Sequence, residues 1–315
     1  ECPCWHKTLR KKMHIMIIKN GLVFTQDKSF EKKDIYIEDG RFVSPNAYTE
    51  DKADVIDAEG QFVLPGLIDI HSHGAVGCDF SDGDKGGVKK ILAYERAHGI
   101  TTYCPTSMTL PQETLETAYA SLDDPSFFHL ANVRTDQPAS GQNPVESGYA
   151  RIAGINMEGP FLDEAKKGAH QACYLRPASA AFFDACQKAA SGAIRLVTVA
   201  PNIADNIDFI RDYHEKVTIS LGHTSCDCAT AEKAITAGAD HLTHLFNAMP
   251  SLLHREPGLI GAAMDAEDIY AELIADGIHV HGTMIRNAFR MFPDHICLIS
   301  DSIRGTGLSD GSYEL

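Results

Sequence analysis

Val63-Leu-Pro-Gly-Leu-Ile-Asp-Ile-His-Ser-His-Gly74 is an apolar run, broken by Pro-Gly, that ends in two histidines one residue apart. Successive side chains on a strand point to opposite faces, so His71 and His73 project to the same side at its C-terminal end. That is a metal-ligand geometry. Taken alone the pair is weak, because surface histidines and hydrogen-bonded core histidines show the same spacing. Its weight comes from its surroundings: further apolar runs end in Glu158 (Gly-Ile-Asn-Met-Glu-Gly-Pro-Phe), His223 (Ser-Leu-Gly-His-Thr), His244 and Asp301. Histidine and carboxylate suit Zn²⁺ or Fe²⁺, and Glu158 could bridge two ions. His241, three residues before His244, faces the other way on a strand, so only one of the two serves as a ligand.

Outward from this stretch, helical and apolar segments alternate. Strands are predicted at 67–70, 101–104, 152–157, 195–199, 217–221, 241–243, 270–274 and 296–300. Helices are predicted at 87–98, 111–122, 179–190, 204–215, 229–237 and 283–291. Eight parallel strands with crossover helices specify an α/β fold, the (β/α)8 barrel, whose active sites lie at the C-terminal strand ends. Residues 131–149, rich in Gly, Pro, Asn and Gln, read as a long loop.

Residues 15–64 carry short β-like runs at 15–25, 34–38, 41–43, 55–57 and 61–64, separated by turn signals such as Asp39-Gly40. They predict a small β-sandwich-like domain before a barrel over 65–315. Residues 1–14, without periodicity, read as a non-native or disordered extension. The chain stops at Leu315, soon after the eighth strand, so the last helix and a C-terminal part are expected to be missing.

Composition excludes several classes. Lys plus Arg is 28 against 43 Asp plus Glu, a formal net charge of −15, which disfavours nucleic acid as a partner but allows a small phosphorylated ligand. Nine scattered cysteines without paired C-x-x-C spacing read as reduced thiols of a cytoplasmic protein. No apolar run approaches the ~18 residues of a membrane span. The chain has neither a G-x-S-x-G nucleophile elbow nor a Walker-type phosphate loop.

The motifs carry a resemblance. Leu64-Pro-Gly-Leu-Ile-Asp-Ile-His-Ser-His-Gly74, Met157-Glu-Gly-Pro-Phe-Leu162, Lys167-Gly-Ala-His170, Gly222-His-Thr224, Thr243-His-Leu-Phe-Asn-Ala-Met249, Arg255-Glu-Pro-Gly258, Ala275-Asp-Gly-Ile-His279 and Ser300-Asp301 together resemble the N-acetylglucosamine-6-phosphate deacetylase family of the amidohydrolase superfamily. The resemblance implies a metal-dependent hydrolase acting in amino-sugar catabolism, with one or two divalent ions, Zn or Fe, per subunit. By the same resemblance, Glu158, His223 and His244 would hold the principal ion and His71 and His73 a second. Asp301 would be the general acid/base and a metal neighbour. Ala169 and His170 would meet the substrate, His170 at the acetyl carbonyl. His279 would contact the sugar or its phosphate, and Arg255 with Asn247 and Ala248 would bind the phosphate, Arg being suited to oxyanions. A phosphate site shared with a neighbouring subunit implies a homodimer.

Three other readings stand beside this one. The first is deacetylation of the galactosamine epimer. The second is a different amidohydrolase, such as a dihydroorotase-like enzyme or a deaminase, which shares the metal ligands but does not require Arg255. The third is an inactive, truncated sugar-phosphate binder.

Overall fold

The computed structural model describes residues 15–45, 53–122, 127 and 148–313. The expectation for residues 1–14 and most of that for the 131–149 loop fall outside them. The chain divides into two units, with the boundary between Gly66 and Leu67.

The first unit contains two small sheets. Ile15–Lys19 pairs antiparallel with Ile35–Glu38 and parallel with Asp54–Asp57, and Arg41–Phe42 folds back on Ile35–Glu38. Asp39 and Gly40 make that hairpin with φ of 46° and 80°, the double positive φ of a tight turn that follows the strand twist. The second sheet is Phe30–Lys32, Leu22–Phe24 and Phe62–Val63. The single strand expected over 15–25 is two strands, and the break is at Asn20-Gly21. Asn20 has φ 62°, and a Cβ on Gly21 would stand 2.5 Å from a Val63 methyl. An Asn-Gly pair is a turn signal, and here it interrupts an otherwise apolar run.

The second unit is the barrel. Its strands are β1 (Leu67–Ser72), β2 (Ile100–Ser107), β3 (Ile155–Glu158), β4 (Ile194–Val199), β5 (Thr218–Leu221), β6 (His241–Leu242), β7 (Tyr270–Ile274) and β8 (Ile296–Ile299). Each pairs in parallel with the next. The ladder stops between β8 and β1, and other hydrogen bonds close that seam. The Asp301 N–H reaches the His71 carbonyl at 2.9 Å, and the His73 N–H reaches the Ser302 carbonyl at 2.8 Å. The Asp69 carboxylate accepts from the N–H of His71 (3.1 Å) and of Ser300 (3.2 Å), stapling the two strands.

The helices are α1 (Lys85–Ala97), α2 (Gln112–Ala120), α3 (Ala180–Ala189), α4 (Asn206–Tyr213), α5 (Cys228–Thr236), α6 (Gly258–Met264) and α7 (Gly282–Met291). Asp84, Ser179 and Asp227 cap α1, α3 and α5 by accepting first-turn N–H groups, which fixes where each helix leaves its loop. Apolar residues at i, i+3 and i+4 face the strands, as Val88, Ile91 and Leu92 do on α1. Between α3 and α4 the rings of Phe161, Phe183, Phe209 and Tyr213 pack with centroids 4.5–5.7 Å apart. Helix α6 was not expected from the sequence. It is seven residues of Gly, Ala and apolar side chains, five of them buried, and so has no polar face to give a helical period.

Candidate active site

The strand-end side chains converge at the C-terminal mouth of the barrel. Glu158, the last residue of β3, lies at the centre: its Oε1 is 3.1 Å from His223 Nε2 and 3.0 Å from His244 Nε2, and its Oε2 is 3.1 Å from His73 Nε2. His71 Nε2 is 3.5 Å from Glu158 Oε1 and 3.5 Å from Asp301 Oδ1, and His73 Nε2 is 3.3 Å from the same Asp301 oxygen. His170 Nε2 approaches Glu158 Oε2 at 3.4 Å. The four metal-candidate histidines, His170 and Glu158 are all buried.

The local backbone explains the sequence motifs. His223, His244 and Asp301 each stand two residues past the end of β5, β6 and β8, and all three have left-handed backbone, with φ of 45°, 30° and 49°. Each costs on the order of 1–3 kcal/mol, a strain that clusters at functional sites. Glycine is required beside two of the ligand candidates. A Cβ on Gly159 would lie 2.1 Å from Thr109 Oγ1, and one on Gly222 would lie 2.6 Å from Thr243 Cβ. Hence Glu158-Gly159 and Gly222-His223 read as fixed pairs.

Outer hydrogen bonds set the ring tautomers. His71 Nδ1 donates to Glu272 Oε2 (2.8 Å), His73 Nδ1 to the Thr106 carbonyl (3.2 Å) and His223 Nδ1 to the Lys166 carbonyl (2.7 Å). Each of these rings therefore turns its other nitrogen, Nε2, toward Glu158, where it offers a lone pair to a cation once its proton is lost. His223 Nε2 and His244 Nε2 lie only 3.0 Å apart, and His71 Nε2 is buried with no hydrogen bond. Ring nitrogens gathered this closely around a buried carboxylate fit a cation between them. His71, His73 and Glu158 form one possible ligand group, and Glu158, His170 and His223 another.

His170 is oriented differently. Its Nδ1 accepts the Thr109 N–H at 3.2 Å, so the proton is on Nε2, which faces the cluster as a donor. Burial lowers its pKa and outweighs the pull of Glu158, keeping the ring neutral. For His73 burial also works downward, but the hydrogen bonds to Asp301 and Glu158 prevail and raise it to about 9. His71 is likewise raised, burial being outweighed by Glu272, Glu158 and Asp301. Burial would lift Asp301, yet His71 and His73 hold its carboxyl well below the ordinary carboxylate range.

The cluster forms the floor of a cavity of about 490 Å³. His73, Glu158, His223, His244 and Asp301 line it below, with Ala169, His170, Asn247, Ala248 and His279 among the walls. His71 lies behind the floor, fully buried. Arg255 is exposed and is not on the wall of this cavity; among the described residues the one Arg that lines it is Arg304, which pairs with Asp82 at 2.8 Å. His241, set aside as a ligand, bonds Ser220 Oγ at 2.9 Å inside the barrel. Sequence reading missed Glu272, whose signal was a carboxylate inside the apolar run of β7.

Known proteins resemble the chain throughout. A family model described as the Amidohydrolase family matches residues 62–310. N-acetylglucosamine-6-phosphate deacetylase from Bacillus subtilis (strain 168) is 34% identical over 304 residues, covering 95% of this chain and 73% of the relative. The enzyme of the same name from Homo sapiens is 32% identical over 304 residues, covering 90% and 69%. Among solved structures, an N-acetyl-D-glucosamine-6-phosphate deacetylase mutant from Mycobacterium smegmatis, in complex with N-acetyl-D-glucosamine-6-phosphate, superposes with a TM-score of 0.80 at 28% identity, covering 97% of this chain and 74% of that one. The Pasteurella multocida deacetylase gives 0.81 at 26%, covering 96% and 75%.

Proposed function

The chain belongs to the amidohydrolase family, and on that premise we propose that it hydrolyses the acetamide of N-acetyl-D-glucosamine 6-phosphate to D-glucosamine 6-phosphate and acetate. The observation that carries this reading is the convergence of His71, His73, His223 and His244 on the buried Glu158, with Asp301 against His71 and His73 and His170 directing its Nε2–H into the same cavity. Glu158, His223 and His244 would hold one divalent ion, zinc or iron. His71, His73, Glu158 and Asp301 would hold a second. Such an ion, when bound, lowers the pKa of water towards ~7 and polarises a carbonyl oxygen.

The chain's own residues supply the rest. His170 Nε2–H donates to the acetyl oxygen, where negative charge grows as water adds to the carbon. Asp301, already ionised, takes the water's proton on a carboxylate oxygen. It then delivers that proton to the sugar nitrogen as the C–N bond breaks, leaving acetate and the free amine. His279, Asn247 and Ala248 on the cavity wall would hold the sugar phosphate. Arg255 would reach it from a second subunit of a homodimer, a role consistent with its exposure in the single chain.

That assignment gives a substrate test. Acetate release should be at least ~100-fold more efficient, in kcat/KM, with the 6-phosphate than with unphosphorylated N-acetylglucosamine, the scale of a charge-assisted bidentate contact. Arg255→Ala should raise KM for the phosphorylated sugar and leave that of the neutral sugar unchanged; equal effects on both would remove Arg255 from the phosphate site.

Cation affinity should depend on pH. His73, with its pKa raised to about 9, and His71, raised as well, carry protons at neutral pH in the metal-free chain, and a ligand must lose its proton to bind. Affinity should therefore climb with pH until about 9 and fall by roughly tenfold per unit below it for each proton displaced. Calorimetric titration with Zn²⁺ at pH 7, in two buffers of different ionisation enthalpy, should show protons released; release of none would contradict the assignment.

Among the described residues no helix is long and apolar enough to cross a membrane, and the seven described cysteines are free. We place the protein in the cytoplasm, a reading the free thiols support.

A further inference from the structure

We propose that Glu272 is the positioning residue that builds the His71/His73 half of the centre: its carboxylate turns His71 so that Nε2 faces the cavity, and it supplies the negative charge that lets this half hold a cation. The inference rests on the two-ion reading above. Glu272 is fully buried on β7, where the pleat directs it into the barrel beneath the ligands. One oxygen, Oε2, accepts both the His71 Nδ1–H at 2.8 Å and the His244 backbone N–H at 3.1 Å, whereas Oε1 has no partner. A carboxylate is costly to bury unless charge and hydrogen bonds meet it, and here both come from residues that ligate a cation.

The outer partners of the other rings are different. His73 and His223 rest on the Thr106 and Lys166 carbonyls, which orient a ring without carrying charge. His71 rests on a carboxylate, the arrangement that both fixes the tautomer and raises the basicity of the ligand nitrogen. Glu272 touches His244 only through its backbone, so the Glu158/His223/His244 half keeps every ring contact when Glu272 changes. The structure therefore makes the contribution of Glu272 asymmetric.

Glu272→Gln separates charge from shape. The amide oxygen can replace Oε2 in both hydrogen bonds, and the amide NH₂ occupies the position of Oε1, which has no partner to lose. The full chain, stripped by chelation, is dialysed against graded Zn²⁺ and its metal content measured. Wild type should take up two ions. The variant should keep the affinity of the tighter ion within about threefold and lose about 10–100-fold on the weaker one, the range seen when an outer partner of a metal ligand is removed. Two ions held at unchanged affinity, or both weakened alike, would overturn the role of Glu272. One ion in the wild type would instead overturn the two-ion reading, and the proposal with it, and this result is visible without the variant. Should Glu272→Gln not fold, ¹⁵N spectra of the histidine rings in the wild-type chain decide. With Zn²⁺ bound, a proton on His71 Nδ1 supports the proposal, and a proton on Nε2 with Nδ1 turned to the ion overturns it.

Discussion

Asp301→Asn is expected to lower kcat by about 10²–10⁴-fold, the usual contribution of a positioned general acid/base, while the ion held by Glu158, His223 and His244 is kept. The substitution changes little in shape. The new amide would still present an oxygen near His73 Nε2, now 3.3 Å from Asp301 Oδ1, and the backbone N–H of that position would still bond the His71 carbonyl across the β8–β1 seam. What the substitution removes is the ability to accept a proton from water and return it to the departing amine. Activity within tenfold of wild type, with metal retained, would take the acid/base role away from Asp301.

Glu158→Gln should have the larger effect on the centre itself. Glu158 is the one carboxylate in contact with His71, His73, His170, His223 and His244, and both proposed half-sites draw on it. Its carboxyl is held well below the ordinary range: burial alone would raise it, but His71 and His170 dominate. With the charge removed, metal content is expected to fall below roughly a tenth of wild type, and acetate release by more than about 10³-fold. Removing one member of a buried ionic cluster also costs about 3–5 kcal/mol, so the metal-free variant should melt below the metal-free wild type. A variant that retains full metal occupancy would show that Glu158 is not the shared ligand.

Much of the barrel was legible because its strands are short apolar runs between amphipathic helices, and all eight strands lie where those runs lie. The ligand candidates were legible for a related reason: polar residues that end apolar strands stand out, and in a parallel barrel those ends meet at one mouth. The rest was hidden for identifiable causes. Helix α6 has no polar face, and the strand Phe30–Lys32 has only three residues, all exposed, with no apolar alternation to mark it. Glu272 sits within an apolar strand, where a carboxylate is explained only by its partner His71, 201 residues away. The local sequence around Arg255 suggests an oxyanion ligand, but where its side chain stands relative to the cavity depends on the loop's path and on a second subunit.

The most direct measurement is acetate release from N-acetyl-D-glucosamine 6-phosphate by the purified chain, followed before chelation, after it, and after Zn²⁺ or Fe²⁺ is restored. The arrangement around Glu158 predicts release that chelation abolishes and added metal restores. Release that is indifferent to chelation, or none from a folded and metal-loaded sample, would contradict it.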